Sequence, residues 1–271
     1  MDSAANSIHK DISKFPVVPN LSDYDKTYSD FSWKEAERMV DFFEDGTLNI
    51  AYNTIDRHAE GKNKDKDALL FVATTGEKEQ YTYGQLKILT NKFANVLVSH
   101  DIKKGDRVFI FLPTIPERYV AFLGILKMGA IAGTLFSAFQ EIALLDRLKD
   151  SGAKVIITNA DLYPRIEKIR KDLPDLEKVI IVERGSQVLP QGDSIFHYDK
   201  EMEKASEEFS VVHMKREEYS YMLYTSGTTG KPKGVVHSHF DILQAMVTMK
   251  YVLDLHEDDM YWCTADLGWV T

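Results

Sequence analysis

The chain of 271 residues is 44% hydrophobic and 28% charged, a globular composition with enough apolar residues for a large core or two. Its formal net charge of −9 argues against nucleic acid and anionic membrane surfaces as partners and suits a cytoplasmic enzyme. Cys263 is the one cysteine, which excludes an intramolecular disulfide and a zinc cage and fits a reducing compartment.

Residues 1 to about 30 read as a polar, partly ordered arm, without the apolar core of a signal peptide. Ser32 as N-cap with Glu35 at N3 predicts a helix over 32–43, and 49–58 continues helically. A strand over 68–73, a turn and a short return strand follow. Thr82 and Gln85 form a capping box that opens a helix with Leu86, Leu89, Phe93, Val96 and Leu97 on one face. Val108 to Leu112 is a continuous apolar run, as in a strand buried on both faces of a parallel sheet. Pro116 starts a helix over 116–128, and a strand begins at Gly129. Further helices are expected over 143–149, 162–173 and 198–208, with strands over 154–158 and 179–182. Tyr219 opens a strand, His239 a helix to 253, and 260–264 reads as a strand that buries Cys263 as a small hydrophobe.

Strands alternating with helices predict an α/β fold with a mostly parallel sheet. The organisation expected is an N-terminal extension over 1–64, a first α/β subdomain over 65–215, and the start of a second over 216–271. Residues 119–139 are long and apolar, but Lys127 at mid-span would cost about 3 kcal/mol in a membrane. A buried helix turning into a strand explains them better. A second unit with so few elements could not cover its own sheet, so the chain is expected to be a fragment.

The most specific stretch is Tyr224-Thr225-Ser226-Gly227-Thr228-Thr229-Gly230-Lys231-Pro232-Lys233-Gly234. A strand precedes it, and a basic segment follows the glycines and hydroxyls. That is the layout of a polyphosphate cradle: glycines let the backbone approach, and hydroxyls and N–H groups donate to the oxygens. It is not a Walker A loop, which needs four residues between its first glycine and Gly-Lys and a hydroxyl residue after the lysine. Here two residues separate Gly227 from Gly230, and Pro232 follows Lys231.

This stretch resembles the signature of the adenylate-forming enzymes, the superfamily of acyl-CoA synthetases, peptide-synthetase adenylation domains and luciferases. Val235-Val236-His237-Ser238-His239 and Tyr261-Trp262-Cys263-Thr264-Ala265-Asp266-Leu267-Gly268-Trp269-Val270-Thr271 are similar to the acetate–CoA ligase branch. Phe43 to Asn49 and Asn53 to His58 support the same likeness, which covers the chain from about Phe31 onward. The resemblance implies the N-terminal part of that family's large domain. The family's adenine-binding segments, ribose-binding aspartate, hinge and C-terminal domain with its catalytic lysine have no counterpart here, so no catalytic residue is assigned.

The implied reaction joins acetate and CoA at the expense of ATP, through an acetyl-adenylate, with Mg2+ accompanying ATP. A ligase for a slightly longer acid such as propionate, or a non-catalytic phosphate-binding product, are the alternatives. Thr225, Ser226, Gly227, Thr228, Thr229, Gly230, Lys233 and Gly234 would hold the phosphates, and Lys231 either shares that role or faces solvent. Trp269, Val270 and Thr271 match positions lining the acyl pocket and the approach of CoA, with core packing an equal reading for Trp269. His239 lies at a position near the nucleotide in the family, or is a packing residue that starts a helix. Arg165 falls near a CoA-phosphate arginine of the family, or is an exposed helix arginine. Phe136-Ser137-Ala138-Phe139 departs from the family's Phe-Gly-Gly-Phe. Spacing of two gives His237 and His239 no metal-binding geometry, Asp258-Asp259 reads as a solvated turn, and no metal site is expected.

Overall fold

Asp23 and Ser32 start the first two helices by the same device, a side-chain oxygen that accepts a backbone N–H of the first turn. Asp23 accepts from Lys26 at 3.0 Å and opens α1 (Tyr24–Asp30); Ser32 accepts from Glu35 at 3.2 Å and opens α2 (Trp33–Ala36). The helix expected to reach residue 43 instead tightens into a 3-10 turn at Glu37–Met39 and stops where Val40 turns extended. The computed structural model describes residues 11–185, 188–226 and 230–269. They form two compact units, one from Met1–Asp41 with Asp241–Cys263, the other from Phe42–Phe240 with Thr264–Thr271.

In the first unit, the helix Ile242–Tyr251 packs on the 3-10 turn, and Phe31 meets Tyr251 edge-on at 6.5 Å. Asn20 closes the unit by donating its backbone N–H (2.7 Å) and side-chain amide (3.1 Å) to Asp254 Oδ1. The strand expected over 260–264 is absent, and Cys263 is exposed rather than buried. The apolar run has the composition of a strand, but strand backbone groups need a neighbour, and this run has none among the described residues.

In the second unit, a π-helical turn (Tyr52–Asp56) leads into α3 (Arg57–Ala59) and the antiparallel hairpin of β1 (Asp67–Val72) and β2 (Lys78–Thr82). The capping box holds as expected at the start of α4 (Tyr83–Ser99), where Thr82 and Gln85 exchange bonds of 3.2 and 2.8 Å. Strand and helix then alternate through β3 (Arg107–Ile110), α5 (Pro116–Lys127), β4 (Ile131–Thr134), α6 (Glu141–Ser151), β5 (Val155–Asn159), α7 (Tyr163–Ile169) and β6 (Lys178–Val182). The short β7 (Ile195–His197) and α8 (Tyr198–Lys204) precede β8 (Tyr219–Thr225) and β9 (Lys233–Ser238). Seven strands make one sheet in the order β7-β6-β5-β3-β4-β8-β9, parallel except for the β8–β9 pair. The run from Val108 to Leu112 is fully buried, as expected of a central strand covered on both faces. β7 and β9 were not foreseen, being short or rich in Lys, Gly, His and Ser.

Lys127 explains how residues 119–139 can be so apolar yet carry a charge. It ends α5 fully buried, its Nζ 3.0 and 2.9 Å from the two Asp56 carboxylate oxygens, 2.8 Å from Thr90 Oγ1 and 2.7 Å from Asn91 Oδ1. Burial pushes the Lys127 ammonium below and the Asp56 carboxyl above their usual ranges, while their mutual attraction opposes both shifts. Among the described residues no helix is long and apolar enough to cross a membrane.

His239 ties the end of β9 into the core. Its ring is fully buried, Nδ1 accepts the Ile50 N–H at 3.2 Å, and its own backbone N–H donates to Glu218 O at 3.0 Å. An accepting Nδ1 requires a neutral ring with its proton on Nε2. Burial lowers the His239 pKa to about 4.

Two outcomes follow from these buried groups. Lys127→Met leaves the Asp56 carboxylate buried without its cation and should cost about 3–5 kcal/mol in urea unfolding, most of it recovered in Lys127→Met/Asp56→Leu. For His239, the unfolded chain binds a proton near pH 6.5 but the folded chain only near 4, so stability is lost as pH falls between those values. Unfolding curves across that window should be flatter in pH for His239→Gln, whose Oε1 can still accept from Ile50.

Candidate functional site at the carboxyl edge of the sheet

β4 and β8 run parallel, with Ala132 opposite Tyr221 and Gly133 opposite Met222. Their carboxyl ends, Thr134 and Thr225, therefore face the same edge of the sheet. β9 returns antiparallel and sets Lys233 opposite Thr225 and Gly234 opposite Tyr224, which makes the Gly-rich loop the connection of a hairpin. Thr225 is half-buried, and Ser226, Gly230, Lys231, Lys233 and Gly234 are exposed. Gly230 has φ +86° with open space where a Cβ would stand. Gly227, Thr228, Thr229, Val270 and Thr271 lie outside the described residues.

The hairpin is braced by α6. Tyr224 is buried and its hydroxyl donates to Asp150 Oδ2 at 2.7 Å; burial and that carboxylate both push the phenol pKa up. Arg147, one turn earlier on α6, lies 4.3 Å over the Phe139 ring and 5.8 Å from the Tyr224 ring, and burial lowers its pKa. Sequence reading missed Arg147 and Asp150; the only signal was their shared face at i,i+3 on a helix.

The loop after β4 gathers the remaining candidates. Arg165 Nη1 donates to the carbonyls of Ser137 (2.9 Å) and Phe139 (3.0 Å), so this half-buried arginine staples the loop that departs from the family pattern. Phe136 stands 5.8 Å from Phe139 and 5.8 Å from the Trp269 ring, while Trp269 is itself 59% exposed. The turn that carries Trp269 is fixed to the end of β4, with Thr134 Oγ1 donating to Leu267 O at 2.6 Å. Gly268 fits because a Cβ there would fall 2.5 Å from Phe136 N.

His237 and His239 do not converge: His237 stacks on Tyr221 at 4.4 Å, and His239 faces Ile50. Asp258 and Asp259 are exposed, and Asp259 Oδ2 accepts the His256 N–H at 2.8 Å. A crevice of about 180 Å³ opens on the same edge, lined by Pro113, Ile115, Asn159, Asp161, Val182 and Arg184. It lies outside the ends of β3 and β5, where strand order reverses. Arg184 is held there by Glu117 (3.0 Å) and Glu79 (2.6 Å), whose carboxylates raise its pKa against the effect of burial.

The chain is similar in sequence and fold to known proteins. The chain is 45% identical over 253 residues to the acetyl-coenzyme A synthetase of Bacillus subtilis (strain 168), covering 93% of this chain and 43% of that protein. It is 39% identical over 244 residues to the acetyl-coenzyme A synthetase of Methanothrix thermoacetophila, covering 85% and 37%. The crystal structure of a Brucella canis acyl-CoA synthetase superposes with a TM-score of 0.81 at 27% identity, over 91% of this chain and 43% of that one. An anthranilate CoA ligase in complex with anthranoyl-AMP superposes with a TM-score of 0.64 at 26% identity, over 72% and 35%. The chain thus spans about two fifths of the length of the curated relatives it matches. A family model described as AMP-binding enzyme matches residues 55–271, and with the parallel sheet and hairpin loop in place, the chain belongs to the AMP-binding enzyme family.

Proposed function

We propose that the protein carrying this chain is an AMP-forming acid–CoA ligase of the cytoplasm, with acetate as its acid. The carboxylate attacks the α-phosphate of ATP and expels diphosphate; the CoA thiol then attacks the acyl carbon and AMP leaves. The observation that carries this reading is the β8–β9 hairpin, whose strands are joined by the hydroxyl- and glycine-rich stretch and whose Thr225 and Lys233 stand opposite each other at the carboxyl end of β8.

The described residues of the hairpin suit a triphosphate, which would bring Mg2+ with it. Open space over Gly230 allows close approach of phosphate oxygens to the backbone, and Lys233, paired across the hairpin with Thr225, supplies charge at the mouth of the loop. Thr225, Ser226, Gly227, Thr228, Thr229 and Gly234 complete the proposed cradle, with Lys231 beside it. Trp269, with Val270 and Thr271 after it, would limit the acid by volume. Arg165 acts on CoA through the 136–139 loop it staples rather than by a free guanidinium. His239 serves the site from behind, by anchoring the end of β9.

Purified full-length protein should release AMP from ATP and CoA in an acid-dependent manner, with kcat/KM for acetate above that for propionate and longer acids. A clear preference for a longer acid would overturn acetate as substrate. Residues 1–271 alone should show no turnover, since they span only part of the relatives' length. Gly230→Val places a β-branched residue at φ +86° and fills the space reserved for phosphate. Adenylation, read as acid-dependent exchange of diphosphate into ATP, should fall by at least about 10²-fold.

A further inference from the structure

Among the described residues Arg118 is the largest fully buried side chain, yet nothing in the proposed chemistry uses it. It sits in the first turn of α5 and reaches the turn that carries Trp269. Nη1 donates to Asp266 Oδ2 at 3.1 Å and Nη2 to Asp266 Oδ1 at 2.6 Å, a two-pronged fork on a carboxylate only 12% exposed. The same Oδ1 accepts the Gly268 N–H at 2.8 Å, and Asp266 O accepts the Trp269 N–H at 2.9 Å. Asp266 thus organises its own turn from within while Arg118 holds it from below. The third anchor is the Thr134 bond to Leu267. What this turn delivers is one exposed indole, tilted at 59° against the Phe136 ring.

A buried guanidinium is costly to desolvate, and the fork recovers that cost only in one geometry. Its Nε is buried without a hydrogen-bond partner among the described residues, so the carboxylate is the group that holds the guanidinium in place. A flexible or merely hydrophobic contact would leave Trp269 free to swing; a planar two-point clamp does not.

We propose that Arg118 is a specificity-positioning residue: clamped on Asp266, it sets where the Trp269 indole stands and so how large an acid the site accepts. It touches no substrate and acts through Asp266. The inference rests on the ligase reading given above, and the experiment separates the two.

The test uses full-length protein with Arg118→Lys, which keeps the charge but not the fork, and Arg118→Met/Asp266→Asn, which removes the clamp without leaving an unpaired buried charge. In either variant the KM for acetate should rise about 10-fold and the propionate-to-acetate ratio of kcat/KM about 3-fold or more, with the KM for ATP within about 2-fold. Hydrogen exchange of the Gly268 and Trp269 amides should quicken about 10-fold, with other peptides of the sheet unchanged. A structural role alone would lower kcat for all acids together and leave their ratio as it was. An unchanged ratio and unchanged exchange in a folded variant overturn the proposal, as does loss of the cooperative melting transition in both variants. If the wild type releases no AMP with any acid, the ligase reading falls and takes the specificity claim with it. An active wild type whose variants keep the ratio sinks the clamp alone.

Discussion

The pairing of β8 against β4 is the constraint on which the rest depends. It is a short contact, with two opposed residue pairs in register. Yet it decides that the glycine-rich connection and the 136–139 loop leave the sheet on one edge, where Thr134 also bonds the Trp269 turn. Each of these segments would be an ordinary surface loop elsewhere. A parallel sheet concentrates its loops by direction: every strand arrives at the same edge, and the backbone there has already turned out of the ladder. Close packing enforces the register. Gly133 in β4 leaves no room even for a Cβ, because the Phe109 ring of β3 lies across it.

Three of the arginines around this edge show how a planar cation is used to hold loops. Arg147 lies over aromatic faces, Arg165 donates to carbonyls, and Arg118 forks onto a carboxylate. In each case a planar cation fixes a loop whose backbone has no strand partner. None of these arrangements depends on the long-range field of an acidic protein, because each pair is in direct contact.

Much of the fold was legible in the chain because burial on both faces leaves a plain mark. The run from Val108 to Leu112 has no polar residue to interrupt it, and the Thr82/Gln85 cap announces its helix by spacing alone. That the stretch after Thr225 is a loop was legible for a similar reason: glycines, hydroxyls and a proline at that density interrupt a strand. β9 was not, since Lys233, Gly234, His237 and Ser238 form a strand only because β8 offers a ladder. Residues 260–264 erred in the opposite sense, an apolar run with no ladder beside it. Arg118 and Arg147 were illegible for a third reason. A charged residue on a helix is ordinarily solvated, and only the tertiary structure reveals that Asp266 or Phe139 waits across the gap.

The β8–β9 hairpin carries a consequence for the order of events in folding. Its two strands are neighbours in sequence and can meet within about 1–10 μs, whereas the crossovers between parallel strands need distant segments to find each other. A lone two-stranded hairpin is marginal in water, however, so the early encounter does not persist unaided. It must wait for β4, which ends at Thr134, far upstream of Tyr219 where β8 begins. The hairpin is therefore quick to sample and late to be kept, and its lifetime becomes a clock for closure of the whole sheet.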